Sequence, residues 1–190
     1  MVTRIPAPSK AAPGNGQNPL RTMRDQAPEV ARKAAKKWPD SAEMAFLLGS
    51  LLDETGDKNE AFKVMEHIIT LHPENYQALN YVGYTLAQEN RDLDKALRLL
   101  IRADELSPDQ SYIVDSLAWA LYRLGRNEEA LTAIRRAVKL DEHVDASIWE
   151  HYGDIALKMG LKDEARTAYQ KALDLKPANA DALRQRLSQL

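Results

Sequence analysis

The feature that most constrains this chain is a period. Ala61, Ala96, Ala130 and Ala165 stand 35, 34 and 35 residues apart. Upstream of each lies an apolar or aromatic residue followed by a small one: Leu48-Gly49, Val82-Gly83, Leu117-Ala118 and Tyr152-Gly153. Self-similarity at a period of roughly 20–50 residues marks a stack of supersecondary units. No unit of this kind can bury its apolar stripe alone, so neighbours pack on one another and about three or more make a stable core. The small residues fall where two helices of a unit would cross closely. The chain is therefore expected to be a solenoid, and stripes at i, i+3, i+4, i+7 such as Trp149, Tyr152, Gly153 and Ala156 make the expected class all-α.

The period divides the chain into repeats at 42–75, 76–110, 111–145 and 146–179, each predicted as helix, turn, helix. Gly56-Asp57 marks the first turn, and the second turn, Glu89 to Leu93, carries one extra residue. Asp40-Ser-Ala-Glu43 and Asp57-Lys-Asn-Glu60 read as capping boxes with Asp in place of Ser or Thr. Ser107-Pro108-Asp109-Gln110 is expected to cap the third repeat, with Pro in the first helical position. A last helix over 180–190 puts Leu183, Leu187 and Leu190 on one face. Arg184, Gln185, Arg186 and Gln189 lie on the others, as a solvating end cap requires, so the C-terminus reads as a true end. At the other end Ala27, Ala31, Ala34, Ala35 and Pro39 copy the spacing of a second helix and predict a cap helix over 27–38. Its first helix is missing, so this helix is either an N-terminal cap or part of a longer array. Residues 1–24 are broken by Pro and Gly and are expected to form a disordered basic tail, with at most a short helical turn from Pro19 capped by Asn18.

The fourth repeat carries Trp149, Tyr152, Gly153, Ala156, Ala165, Tyr169, Ala172 and Pro177. This set resembles the tetratricopeptide repeat (TPR) at nearly every signature position of that 34-residue helix–turn–helix unit. Trp149, Tyr152, Gly153 and Ala156 follow the i, i+3, i+4, i+7 spacing of an apolar helix stripe. The resemblance implies a right-handed superhelix whose first helices line a concave ligand surface.

The residues belonging to that inner face are Glu43, Phe46, Ser50 and Asp53, then Gln77, Asn80, Tyr84 and Gln88. The third repeat adds Tyr112, Asp115, Trp119, Tyr122 and Arg123, and the fourth Ser147, Glu150, Asp154 and Lys158. Tyr84, Tyr112, Trp119 and Tyr122 lie off the core stripe and read as exposed aromatics at a partner-binding groove, with Asp115, Glu150 and Asp154 beside them. The alternative is that some of these rings only pack on the neighbouring first helix. Chaperone-binding members of the family carry a carboxylate clamp of Lys, Asn and Arg. Here Phe46, Ser50, Tyr81, Tyr112 and Ser116 occupy the matching positions, so an apolar or basic segment fits better than an acidic C-terminus. Asn80-Tyr-Val-Gly-Tyr-Thr-Leu86, Ile113-Val-Asp-Ser-Leu-Ala-Trp119 and Glu150-His-Tyr-Gly-Asp154 also resemble the C-terminal repeats of bacterial envelope TPR adaptors. Those members carry a signal sequence and a lipid-attachment Cys that this sequence lacks.

The function expected is a non-catalytic scaffold or adaptor that holds a peptide or helix of another protein in the groove. The alternative is an assembly module that self-associates through its end repeats. With no Cys there is no disulfide or thiolate chemistry, and no phosphate loop or hydrolase motif appears. His67 and His72 do not share a helix face. Glu150, His151 and Asp154 fit simple solvation as well as a metal, so neither metal nor cofactor is expected. Residues 1–38 carry eight Lys/Arg against two Asp/Glu, whereas the remainder carries 18 against 26. A basic tail on an acidic body would give nucleic acid only weak, salt-dependent attraction, so a protein partner is favoured. No apolar run approaches the ~20 residues of a membrane span. As it stands the chain reads as cytoplasmic, or as an envelope protein if its N-terminus has been lost.

Overall fold

The computed structural model describes residues 19–37, 41–141 and 144–190, and the regular structure among them is helical throughout. A lone helix α1 (Pro19–Lys37) leads into four hairpins. These are α2 (Ala42–Thr55) with α3 (Lys58–Leu71), and α4 (Tyr76–Gln88) with α5 (Leu93–Leu106). They continue with α6 (Ser111–Arg123) and α7 (Asn127–Leu140), then α8 (Ala146–Lys158) and α9 (Lys162–Asp174). Helix α10 (Ala180–Ser188) closes the chain. Helix α1 starts at Pro19, ahead of the expected residue 27. Of the tail expected over 1–24, residues 19–24 belong to this helix and the others, with the Asn18 cap, lie outside the described residues.

Helix starts follow local chemistry, with three corrections to the sequence reading. The cap of α2 is Ser41, whose hydroxyl accepts from the Met44 N–H and donates to Glu43. Asp57 makes no side-chain cap bond. Helix α6 starts at Ser111 behind Gln110, which makes no cap bond either, and Pro108 stays outside the helix. Asn75 and Asp92 do cap α4 and α5, accepting from Ala78 and Lys95. In the longer second turn, Asn90 and Asp92 take the positive φ that glycine supplies at Gly56, Gly125 and Gly160.

Within each hairpin the first helix offers a small residue and the second a large one. A Cβ placed on Gly83 would lie 2.6 Å from Leu100 Cγ, and one on Gly153 would run into the ring of Tyr169. Between hairpins the asymmetry is different. First helix α6 touches both α4 and α8 directly, and each second helix packs on the first helix that follows it. The first helices therefore gather on the inside of a curve, and the second helices fan out along its back. Apolar clusters run through the stack, from Leu48 and Leu52 through Val82 and Leu100 to Ile134 and Ile155, ending on Tyr169 and Leu183.

Along the outer side, ion pairs join each second helix to the next. Arg32 binds Glu60 at 2.6 Å, Lys95 binds Glu66 at 2.7 Å, Arg136 binds Asp104 at 2.7 Å and Arg135 binds Glu164 at 2.6 Å. Arg32, one of the basic residues of the N-terminal stretch, is thus engaged within the fold. No helix of the described residues is long and apolar enough to cross a membrane.

Candidate functional site: a cleft on the inner face

The inner faces of the first helices enclose an open cleft of about 420 Å³. One side is built by Phe46 of α2 and by Asn80, Tyr81 and Tyr84 of α4. The other is built by Tyr112 and Asp115 of α6 with Ser147 of α8, and Asp145 stands at the N-terminus of α8. Each comes from the helix face opposite to, or beside, the stripe that meets its own second helix. That is why the walls are aromatic and polar while the hairpin seams are aliphatic. Among the described residues, the charged ones lining the cleft are Asp115 and Asp145.

Tyr112 is the most exposed aromatic of the expected set, at 41%. Tyr84 is half-buried, and burial, reinforced by Asp115 and Glu150, pushes its hydroxyl up to about 12. Burial also raises the Tyr112 hydroxyl above its ordinary value. Tyr81 donates to Asp53 at 2.8 Å, which together with burial keeps its hydroxyl protonated. The three tyrosine hydroxyls at the cleft, those of Tyr81, Tyr84 and Tyr112, are therefore neutral at any physiological pH.

Two residues differ from the exposed positions the sequence suggested. Trp119 is only 8% exposed, stacked on the His151 ring with centroids 4.2 Å apart and flanked by Tyr122 at 5.1 Å. Asp115, 6% exposed, receives the His151 Nδ1–H on both its oxygens, at 2.9 and 3.0 Å. The cause is the direct contact between α6 and α8, which covers positions that an isolated helix would leave open. Glu150 and Asp154 are engaged as well. Arg186 of α10 reaches Glu150 at 3.0 Å and Asp154 at 2.8 Å, Asn179 donates to Glu150, and the Tyr169 hydroxyl donates to Asp154. Of the seven expected residues, Tyr84, Tyr112 and Asp115 line the cleft. Trp119 and Tyr122 pack near its floor, and Glu150 and Asp154 face α10.

His151, read in the sequence with Glu150 and Asp154 as fitting simple solvation or a metal, is instead part of the packed interior. It is buried, sits between Asp115 and Trp119, and has the Tyr84 ring 6.3 Å away. Burial favours its neutral ring. The Asp115 carboxylate, helped by Asp154 and Glu150, outweighs that and holds its pKa above the ordinary histidine value. A signal existed: an acid and a histidine about one repeat apart, both on first helices. Two buried polar atoms are without a protein partner here, Asn80 Oδ1 on the cleft wall and Trp119 Nε1 below it. Buried unpaired polar groups cost about 1–3 kcal/mol each and persist where a ligand or function compensates.

A stack of helical hairpins with first helices inside, and a polar aromatic cleft across four of them, defines a repeat scaffold for protein–protein interaction. Tetratricopeptide repeat profiles match residues 42–75 and 116–180, and the chain belongs to that family. The TPR repeat-containing protein PA4667 of Pseudomonas aeruginosa is 28% identical over 132 residues, which are 70% of this chain and 22% of the relative. Human protein O-mannosyl-transferase TMTC1 is 28% identical over 173 residues, 87% of this chain and 19% of that protein. This chain thus spans about a fifth of the length of both. Among solved structures, TTC0263, a thermophilic TPR protein of Thermus thermophilus, superposes with a TM-score of 0.69 at 23% identity, covering 90% of this chain and 92% of its own. YrrB, described as a TPR protein with an unusual peptide-binding site, gives a TM-score of 0.62 at 21% identity, covering 82% and 79%. At these identities the superpositions establish the fold.

Proposed function

We propose that this protein is a non-catalytic adaptor that holds a segment of another protein along its inner face, with the cleft between α4, α6 and α8 as the central contact. The observation that carries the reading is the lining of that cleft. Tyr84 and Tyr112 offer apolar area with a polar tip, the kind of surface enriched at binding hot spots. Asn80 adds a side-chain amide on the cleft wall. Trp119 and Tyr122 act from behind as a rigid packed floor. Glu150 and Asp154, with Arg186 across them, extend the polar surface toward α10.

The test is selection of displayed random dodecapeptides on wild-type protein, followed by binding to Tyr84→Ala/Tyr112→Ala. Circular dichroism checks that the variant keeps its helices. Peptides retained by wild type and released about tenfold or more faster by the variant support the groove, a loss typical of removing hot-spot rings. Equal retention by both proteins sinks it. A second reading, association of copies through the end repeats, rests on Val30. This residue is 66% exposed although its counterparts Val64, Leu99 and Ala168 in the later second helices are half-buried or buried.

A further inference from the structure

The cleft has an uncommon electrostatic floor. Among the described residues its charged lining is negative, and one of its two carboxylates, Asp115, is shared with a histidine that water barely reaches. When His151 carries its proton, the imidazolium cancels the Asp115 charge. When it does not, Asp115 presents an uncompensated carboxylate to the cleft. A second cation brought to Asp115 must repel the imidazolium, because both would sit in a poorly solvated site where charges a few ångströms apart interact strongly.

We propose that the cleft takes a Lys or Arg side chain from an extended segment of the partner protein, placed against Asp115 and Asp145, and that its binding expels the proton from His151. The proposal rests on the groove reading above and names the chemistry of its occupant. Charge complementarity selects a cation, since Asp115 and Asp145 face the cleft and no Lys or Arg among the described residues lines it. The same inner surface already holds one: Glu150 and Asp154 of α8 grip the guanidinium of Arg186. The rings of Tyr84 and Tyr112 offer aromatic faces of the kind that attract cations.

The groups facing His151 fix the direction of the pH effect. Asp115 approaches from α6, the Tyr84 hydroxyl from α4 is neutral, and Glu150 and Asp154 flank it on α8 with Arg186 of α10 neutralising part of their charge. Arg123 lies over the far ring of the stack, 5.8 Å from the centroid of Trp119. In the free protein the carboxylates favour the imidazolium. A partner cation at Asp115 favours the neutral ring. Affinity for the cationic segment therefore rises with pH through the titration of His151, above the ordinary imidazole range, and binding releases a proton.

The experiment uses four fluorescein-labelled dodecapeptide pools, random except for a central Lys, Arg, norleucine or Glu, read by fluorescence anisotropy against the full chain. The Lys and Arg pools should bind about tenfold more tightly than the other two at about pH 8.5, an advantage that shrinks about tenfold at about pH 6. The imidazole resonance of His151, assigned with His151→Gln, should titrate at a lower pH once the Lys pool is bound. This reading in wild type does not depend on the variant folding. Binding of the Lys and Arg pools with an unmoved His151 titration overturns the proton linkage and leaves the groove standing. Binding led by the norleucine or Glu pool overturns the cationic occupant. Binding of no pool overturns both the occupant and the groove.

Discussion

Gly153 sits where α8 crosses α9, and an added methyl group would meet the ring of Tyr169, which is fully buried and tied through its hydroxyl to Asp154 at 2.6 Å. The ring is held at both ends and has little room to yield. Gly153→Ala is therefore expected to lower stability by about 1–3 kcal/mol, the usual cost of overpacking a filled core. Urea unfolding followed by circular dichroism measures it, and a loss below about 0.5 kcal/mol would mean that Tyr169 moves aside freely. This seam was legible in the sequence, because Gly, Ala and Tyr at fixed intervals state which faces meet. Trp119 and Asp115 were not. Their burial depends on how α6 and α8 lean together, and a helical period identifies a face without saying how much of it the neighbouring repeat will cover. His151 read as solvated for the same reason, since its partner lies 36 residues away on another helix.

Helix α10 illustrates what decides the worth of an ion pair at the level of an element. Arg184 binds Asp181 at 2.6 Å, but the two side chains are 66% and 98% exposed. Arg186 binds Glu150 and Asp154 at slightly greater length, yet those carboxylates are only 19% and 21% exposed. Solvent screens the first pair almost completely. Removing Arg186 leaves two largely buried carboxylates side by side without a cation. Arg186→Ala is expected to cost about 1–2 kcal/mol, and Arg184→Ala no more than about 0.5 kcal/mol. Thermal or urea unfolding of both variants tests the contrast, and equal losses would show that distance outweighs burial here. Of the pairs along the outer side, Arg135 with Glu164 is half-exposed and belongs with the weak class, whereas Asp104, 18% exposed beneath Arg136, belongs with Glu150 and Asp154. The sequence announced α10 through Leu183, Leu187 and Leu190, and Leu183 is fully buried against Tyr169 and Ala172. It gave no hint that Arg186 would turn back onto α8, because that contact spans 32 residues and depends on the angle at which α10 docks.

The molecule as a whole is nearly one-dimensional, each hairpin touching only its neighbours, so local stability should follow the amount of apolar surface each layer shares with the next. In the middle that surface is large: Val82, Leu100, Val114, Ile134 and Ile155 are buried and belong to two extended clusters. At the N-terminal end α1 contributes Ala31 to a small cluster with Leu48, Leu52 and Ala61, and its Val30 points largely to solvent. At the C-terminal end α10 contributes one fully buried side chain, Leu183. Amide hydrogen exchange should therefore be slowest in α4 to α8 and faster by about tenfold or more in α1 and α10, since about 1.4 kcal/mol of local stability corresponds to a factor of ten. The gradient bears on function. A partner lying along the inner face would contact the rigid middle at the cleft and the looser α10 through Glu150, Asp154 and Arg186, so its binding should slow exchange most in α10, where there is most freedom left to lose. Uniform protection from α1 to α10 would contradict this account, because it would require the end helices to unfold only with the entire stack.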